Sequence, residues 1–208
     1  MNTHFDDHAV TWDNDPKKIE RATAFAIEIN KFIKPNRKLD ALEFGCGTGL
    51  LSFQLKDFFK TITLADNSEG MINALQEKIA KNNIQHFKPL YLDEASSKLP
   101  NKAFDVIYTL MTLHHIHDLD GIIKKLYDSL KNGAYLCIAD LVKEDGTFHS
   151  KFPDFDGHKG FDKKELSKLL ASMGFEMVHY SICYEIERAF DDGVIKYPLF
   201  LMIAKKIK

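Results

Sequence analysis

The sequence predicts an α/β domain, a mainly parallel sheet with helices on both faces, finished by an antiparallel hairpin. Three observations point there. The apolar run Leu39 to Phe44 ends in glycines at 45, 47 and 49 and passes at once into an amphipathic segment; that is strand, tight turn, helix. Strand-like and helix-like segments then alternate at short pitch to residue 139, which needs a parallel sheet covered on both sides. Last, two long β-like runs, Glu176–Arg188 and Tyr197–Lys205, are joined by Asp191-Asp192-Gly193, a turn short enough for a hairpin.

Taken in order, Pro16 to Phe32 has a helical apolar period through Ile19, Ala22, Ala26, Ile29 and Ile33, with Pro16 in the first turn and Pro35-Asn36 as the stop. Leu39–Phe44 reads as strand, Leu50–Phe59 as helix, Thr61–Ala65 as strand, and Met71–Ala80 as helix with Met71, Leu75 and Ile79 on one face. Phe87–Leu92 and Phe104–Leu110 are further strands. Ile122–Leu130 is a helix with Asp118 or Asp120 as N-cap, closed by Asn132-Gly133, and Ala134–Ala139 is a strand. A polar connection rich in Phe, His and Asp, Leu141 to Gly160, breaks the alternation. Asp162-Lys-Lys-Glu165 then opens a helix that buries Leu166, Leu169, Leu170 and Met173 and stops at Gly174.

A chain of 208 residues, 45% hydrophobic and 28% charged, makes one well-buried domain and is too short for two. Residues 1–36 form an N-terminal helical lid segment and 37–208 the main domain. A net charge of −2 leaves no basic footprint for nucleic acid. No apolar run reaches membrane-spanning length, and the first fifteen residues carry acids and histidines where a signal peptide would be basic and then apolar. Cysteines 46, 137 and 183 are odd in number and widely spaced, so a reduced, cytoplasmic setting is expected. Cys46 is read as a small filler of the glycine turn.

Glycines let the turn take positive φ and let a ligand approach the main chain at a helix N-terminus. A dinucleotide fingerprint wants its third glycine at position 50, which is Leu, and no Lys-Ser/Thr pair follows for a P-loop. With Glu43 ahead of it, the G-x-G-x-G at 45–49 resembles motif I of the class I S-adenosylmethionine (SAM) dependent methyltransferases. "FDVI…LHHI.D" from Phe104 to Asp118 is similar to the motif after the fourth strand in small-molecule members. The pattern "D…EDG.FH…H.GFD…L" from Asp140 onward looks like an uncharacterised bacterial and fungal subgroup. The resemblance covers about residues 37–205. It implies the family's Rossmann-like fold, whose seven-stranded sheet has one antiparallel strand from a C-terminal hairpin.

What the resemblance implies about the site follows the strand ends, where doubly wound sheets bind ligands. Gly45, Cys46, Gly47 and Gly49 would form one wall of a SAM site, with Glu43 near the SAM amino group. Asp66 would accept the ribose hydroxyls, or else cap the helix before Ser68, and Asn67 and Met71 would complete that side. Asp93 would pair with the adenine amino group while Leu92 packs on the ring; Asp93 could instead cap a turn with Glu94 and Ser96. The main chain at Thr109 and Leu110 would hold the methionine end.

The acceptor side falls to the N-terminal segment (His4, Phe5, His8, Trp12) and the 141–160 connection. Trp12, His114 and Phe148 are pocket candidates, and Trp12 either faces the acceptor or pins the lid. His115, His149 or His158 is the candidate general base, since histidine loses its proton near neutral pH; alternatively these rings anchor loops and the backbone near the methionine site. His149, His158, Asp140 and Asp145 are metal-ligand types, but their spacing matches no helix-borne site, and no metal is expected. The chain also lacks an Asn/Asp-Pro-Pro-aromatic run, a Pro-Cys pair and aromatics interleaved with basic residues. The expectation is therefore methyl transfer from SAM to a small-molecule acceptor, with no nucleic-acid or membrane partner. The alternatives are a non-catalytic SAM-binding protein and an NAD-dependent oxidoreductase; against the latter stand Leu50 and the absence of a Tyr-x-x-x-Lys pair.

Overall fold

The structure is a computed structural model and describes residues 2–92, 98–152, 154–191 and 193–207. Helix α1 (Asn2–His8) and a 3-10 turn (Ala9–Asn14) lead into α2 (Pro16–Phe32). The alternating part comprises β1 (Asn36–Phe44), α3 (Leu50–Gln54), β2 (Phe59–Asp66), α4 (Glu69–Lys81), β3 (Phe87–Tyr91), β4 (Phe104–Leu110), α5 (Leu119–Ser129) and β5 (Leu130–Leu141). Short 3-10 turns lie at Leu113–His115, between β4 and α5, and at Thr147–His149, after β5; then come α6 (Lys163–Ser172) and the hairpin β6 (Phe175–Phe190) and β7 (Gly193–Lys206).

The seven strands lie in the order β3-β2-β1-β4-β5-β7-β6. β1 pairs in parallel with β2 and β4, while β7 runs antiparallel to both its neighbours. The chain moves outward from β1 to β3 and then returns to the other side at β4, so the topological switch lies between β1 and β4. A ligand crevice belongs beyond their carboxyl ends. One apolar core packs Phe25, Ile29, Leu51 and Leu75 on one face of the sheet; the other packs Ile123, Leu126, Leu166 and Leu170 on the opposite face. Burial of β1 rises along the strand from exposed Asn36 to buried Leu42, Glu43 and Phe44. That gradient delivers the glycine turn from inside the protein. No helix among the described residues is long and apolar enough to cross a membrane.

Capping follows the chemistry of the sequence. Asp15 accepts from the Lys17 amide ahead of α2, Asp118 from the Gly121 amide ahead of α5, and Asp162 from the Lys164 and Glu165 amides. Two expectations are corrected. The helix over Leu50–Phe59 stops at Gln54, because Phe59 is fully buried as the first residue of β2 and stacks on Tyr108 with ring centres 6.2 Å apart. Asn132-Gly133 does not close α5. The helix ends at Ser129 and Leu130 already pairs with Phe104; Gly133, at φ 76°, lies in an irregularity where β5 takes extra residues before Tyr135 pairs with Val106.

Candidate active site

The Gly45 and Cys46 amides both donate to the Ala65 carbonyl, at 2.8 and 3.0 Å, which ties the glycine turn to the end of β2. Gly45 (φ 68°) has no room for a side chain, since a Cβ there would fall 2.1 Å from the Thr112 methyl. Gly47 (φ 52°) is different. A Cβ on it would have only Met71 Sδ at 3.8 Å and Trp12 Nε1 at 3.9 Å for neighbours. A side-chain carbon at 47 would thus fit in ordinary contact with Met71 and Trp12, and Trp12 lies over this part of the turn. At Gly49 a Cβ would meet Leu64 and Leu75 at 2.9 Å, so this glycine serves the packing of the turn on β2 and α4. Burial pushes the Cys46 thiol well above its ordinary value, consistent with an inert filler.

Asp66 accepts from the Gly47 amide at 2.7 Å with one carboxyl oxygen and from the Ser68 amide at 2.9 Å with the other. Its pKa is raised, because burial outweighs these bonds. Ser68, not Asp66, caps α4, its hydroxyl accepting from the Met71 amide. Glu43 is turned inward. It is 2% exposed, accepts from the Ser52 amide at 3.1 Å and from the Ser52 hydroxyl, and that hydroxyl lies 2.7 Å from Tyr108 Oη. Burial raises the Glu43 carboxyl to about 8. Where the sequence reading puts it beside a ligand ammonium, its present partner is the first turn of α3. Leu92 donates its amide to the Asp66 carbonyl, which aligns the end of β3 with β2. Thr109 is buried with no partner for its hydroxyl among the described residues, and the adjoining Leu110 carbonyl accepts from the Thr112 hydroxyl. Asn67 follows Asp66 directly, and Asp93 lies outside the described residues.

Two aspartates fasten the N-terminal segment over this turn. Asp13 accepts from the Thr48 hydroxyl at 2.5 Å and from Lys78 Nζ at 2.6 Å, while Lys78 also donates to the Thr48 carbonyl. Asp6 accepts from the Ser68 hydroxyl at 2.6 Å and the Gly70 amide at 2.9 Å. Between them Phe5 packs edge-on against both Trp12 and His115, and Lys18 Nζ lies 3.5 Å from the Trp12 ring centre. Neither Asp6 nor Asp13 stands out in the sequence, because their partners are distant in the chain.

The histidines gather beyond β4 and β5. His114, 1% exposed, sits on the Leu113–His115 turn with Nδ1 2.6 Å from the Asp140 carboxyl, whose second oxygen receives the His114 amide. Burial alone would raise the Asp140 pKa, but the charge and hydrogen bond of His114 outweigh it and hold the carboxyl below its ordinary value. A carboxylate partner fixes the proton on Nδ1, which makes Nε2 the nitrogen that can exchange a proton. His149 lies 5.2 Å from His114 and 5.7 Å from His115 between ring centres, and stacks on Phe155 at 3.6 Å. Burial, with His114 and Arg188 adding to it, lowers His149 to about 4, so it is neutral at pH 7.

His158 stands apart in its bonding. Its Nε2 is 2.9 Å from the Ile116 carbonyl, its amide donates to the His114 carbonyl, and Gly157 is pressed on that same carbonyl. One nitrogen each of His114, His115 and His149 lies within 4.8 Å of the others. This trio is not the set of ligand types that the sequence suggests. Asp145 instead accepts from the Thr147 amide and hydroxyl, and His158 braces the loop. Phe148 is buried under the Arg188 guanidinium, 3.9 Å from its ring centre.

A methyltransferase-domain family model matches residues 14–180. An uncharacterised methyltransferase of Schizosaccharomyces pombe is 35% identical over 134 residues, 61% of this chain and 47% of that protein. Phosphoethanolamine N-methyltransferase 1 of Zea mays is 29% identical over 164 residues, covering 76% of this chain and 32% of its own length. The chain thus spans about a third to a half of the length of these relatives. Among solved structures, a SAM-dependent methyltransferase from Aquifex aeolicus superposes with a TM-score of 0.67 at 20% identity, covering 93% of this chain and 99% of that one. A SAM-dependent methyltransferase from Methanosarcina mazei does so with a TM-score of 0.67 at 20% identity, over 86% and 97%. With its glycine turn, its 3-2-1-4-5-7-6 strand order and a family match over most of its length, the chain belongs to the methyltransferase-domain family and has the class I SAM-dependent methyltransferase fold.

Proposed function

We propose that the protein transfers a methyl group from SAM to a small-molecule acceptor. The observation that carries this reading is the Gly47 main chain, lying beneath Trp12 and tied to Asp66 at the switch point of the sheet. Residues 45–49, Asp66, Met71 and Leu92 fit the expected donor site, and Asn67 and Asp93 belong to the same side by sequence. When bound there, SAM supplies an electrophilic methyl group. The chain's own tasks are to align a nucleophile, exclude water and take a proton where the nucleophile carries one. Phe5 and Trp12, latched through Asp6 and Asp13, would exclude water. The base role goes to His114, expected only as a pocket residue, because the Asp140 carboxylate holds its tautomer and stabilises the charge it gains. His115 and His149 flank it as acceptor contacts. His149 is too weak a base for the role, and His158 is occupied by Ile116.

Thermal shift with SAM, its demethylated product and NADH tests the donor. Stabilisation by the first two and not by NADH is expected, and the reverse would assign a nicotinamide enzyme. With an acceptor found in a metabolite panel, Asp140→Asn and His114→Ala should cut kcat about a hundredfold or more without changing SAM affinity. Unchanged kcat at saturating acceptor would refute the base role. SAM binding with no product across the panel would favour a non-catalytic binder.

A further inference from the structure

The turns Leu113–His115 and Thr147–His149 follow β4 and β5, parallel neighbours paired up to Leu110 and Ala139. Three imidazoles meet there. Ring centres lie 4.0 Å apart for His114 and His115, 5.2 Å for His114 and His149, and 5.7 Å for His115 and His149. Both turns are braced from outside the cluster. The His114 carbonyl accepts from the His158 amide, Glu144 accepts from the Gly146 and Phe148 amides at 2.8 and 3.0 Å, and the Thr147 hydroxyl accepts from Tyr197 at 2.8 Å. His149 stacks on Phe155 with planes 8° apart. That contact uses the face of the ring, whereas its nitrogens lie in the ring plane.

One nitrogen from each ring lies within 4.8 Å of the other two. On a tetrahedral zinc ion, nitrogens sit about 2.0–2.1 Å from the metal and so roughly 3.3–3.4 Å from each other. Ring rotations that carry each nitrogen inward by less than about 1 Å therefore close the set. Asp140 supplies a second, independent feature. It is fully buried, holds His114 Nδ1 at 2.6 Å with one oxygen and receives the His114 amide with the other. Histidines that bind metals give their second nitrogen to such a carboxylate, which fixes the ring and contributes negative charge beside the dication. The donor of His114 is then Nε2. His149 and Phe155 also line a surface cavity of about 200 Å³ with Glu144 and Ser150, so an ion can reach the cluster from that side.

We propose that His114, His115 and His149 form a site for one divalent cation that favours imidazole, zinc before others, with Asp140 as the outer partner. This departs from the sequence expectation of no metal, because the two turns that unite the donors are distant in the chain. The site goes beyond the methyl-transfer reading and has one consequence that rests on it. The ion takes the same His114 nitrogen that would accept the proton of the acceptor, so a loaded protein is silenced and zinc acts as a brake.

The test is calorimetric titration of the chelator-treated full chain with zinc, and a visible spectrum with cobalt in its place, both without SAM. One tight equivalent is expected in the parent and in His117→Gln, which alters an exposed histidine beside Asp156. Asp140→Asn should weaken it about 10–100-fold, and His115→Gln and His149→Gln at least as much. Cobalt in the parent should show the strong visible bands of four-coordination, and this measurement decides the matter if a variant fails to fold. Weak six-coordinate bands, or affinity lost in His117→Gln and kept in His115→Gln and His149→Gln, would overturn the site. With an acceptor in hand, one equivalent of zinc should cut turnover about a hundredfold and a chelator should restore it. Undiminished turnover at full occupancy overturns the brake. A protein that binds zinc as expected but not SAM overturns the methyl-transfer reading and leaves the metal site standing.

Discussion

Replacing Glu43 by Gln should make the protein more stable than the parent at pH 8, with the gain vanishing in acid. Glu43 is buried against Ser52 and Tyr108, and its carboxyl is raised from 4.5 to about 8. Below pH 4.5 the group is protonated in both folded and unfolded chains. Between 4.5 and 8 the folded protein holds a proton that the unfolded chain has lost, so stability falls as pH rises. Above 8 the group is ionised in both states and the loss is complete. At about 1.4 kcal/mol per pH unit, the window from 4.5 to about 8 holds roughly 3–5 kcal/mol. Glutamine has the shape of the protonated acid, keeps an acceptor for Ser52 and does not titrate. For a chain of this size about 2–4 °C accompany each kcal/mol, so the melting temperatures should separate by roughly 6–20 °C at pH 8.5 and by little at pH 5. Scanning calorimetry of both proteins from pH 5 to 9 measures this. A separation equal at pH 5 and pH 8.5 would refute the reasoning, since a packing effect has no such slope.

Other expectations concern the ligand side. Asp66→Ala should weaken SAM by about 1–3 kcal/mol; an unchanged Kd would remove Asp66 from the ribose site. Gly47→Val should abolish SAM binding, because it places branched bulk in the space under Trp12 and asks a β-branched residue to hold φ 52°; retained binding in a folded variant would move the donor elsewhere. Trp12 is the sole tryptophan, and its emission reports the lid. Asp13→Ala, which frees Thr48 and Lys78, should shift that emission to the red and speed SAM release. An unchanged spectrum and release rate would show that Asp13 is no latch.

The parts of this protein that could be read from its sequence are those whose causes are local. The turn at 45–49 announces itself through glycines next to an apolar run, and Asp162 caps α6 two and three residues away. Strand order was accessible only through family resemblance, since no local pattern says that β4 returns to β1. The Glu43 clasp depends on Tyr108 across the sheet and the base on Asp140, 26 residues from His114. Where a residue's meaning depends on a partner far along the chain, composition and spacing are silent. The early end of α3 belongs to the same class, because Phe59 is drawn out of the helix by Tyr108.

The position of β7 bears on how the chain comes to fold. It follows β6 in sequence yet lies between β5 and β6. Until β7 is made, β5 presents an open row of amides and carbonyls, and β6 has no neighbouring strand at all. The central residues of β7, Leu199 to Ala204, are buried and apolar, so during synthesis both halves of a sticky interface wait for one late segment. Sheet completion is a long-range, slow-closing event of the kind that limits folding rates. Substitutions in β7 should therefore reveal themselves in yield and aggregation before they do in the activity of the molecules that succeed in folding.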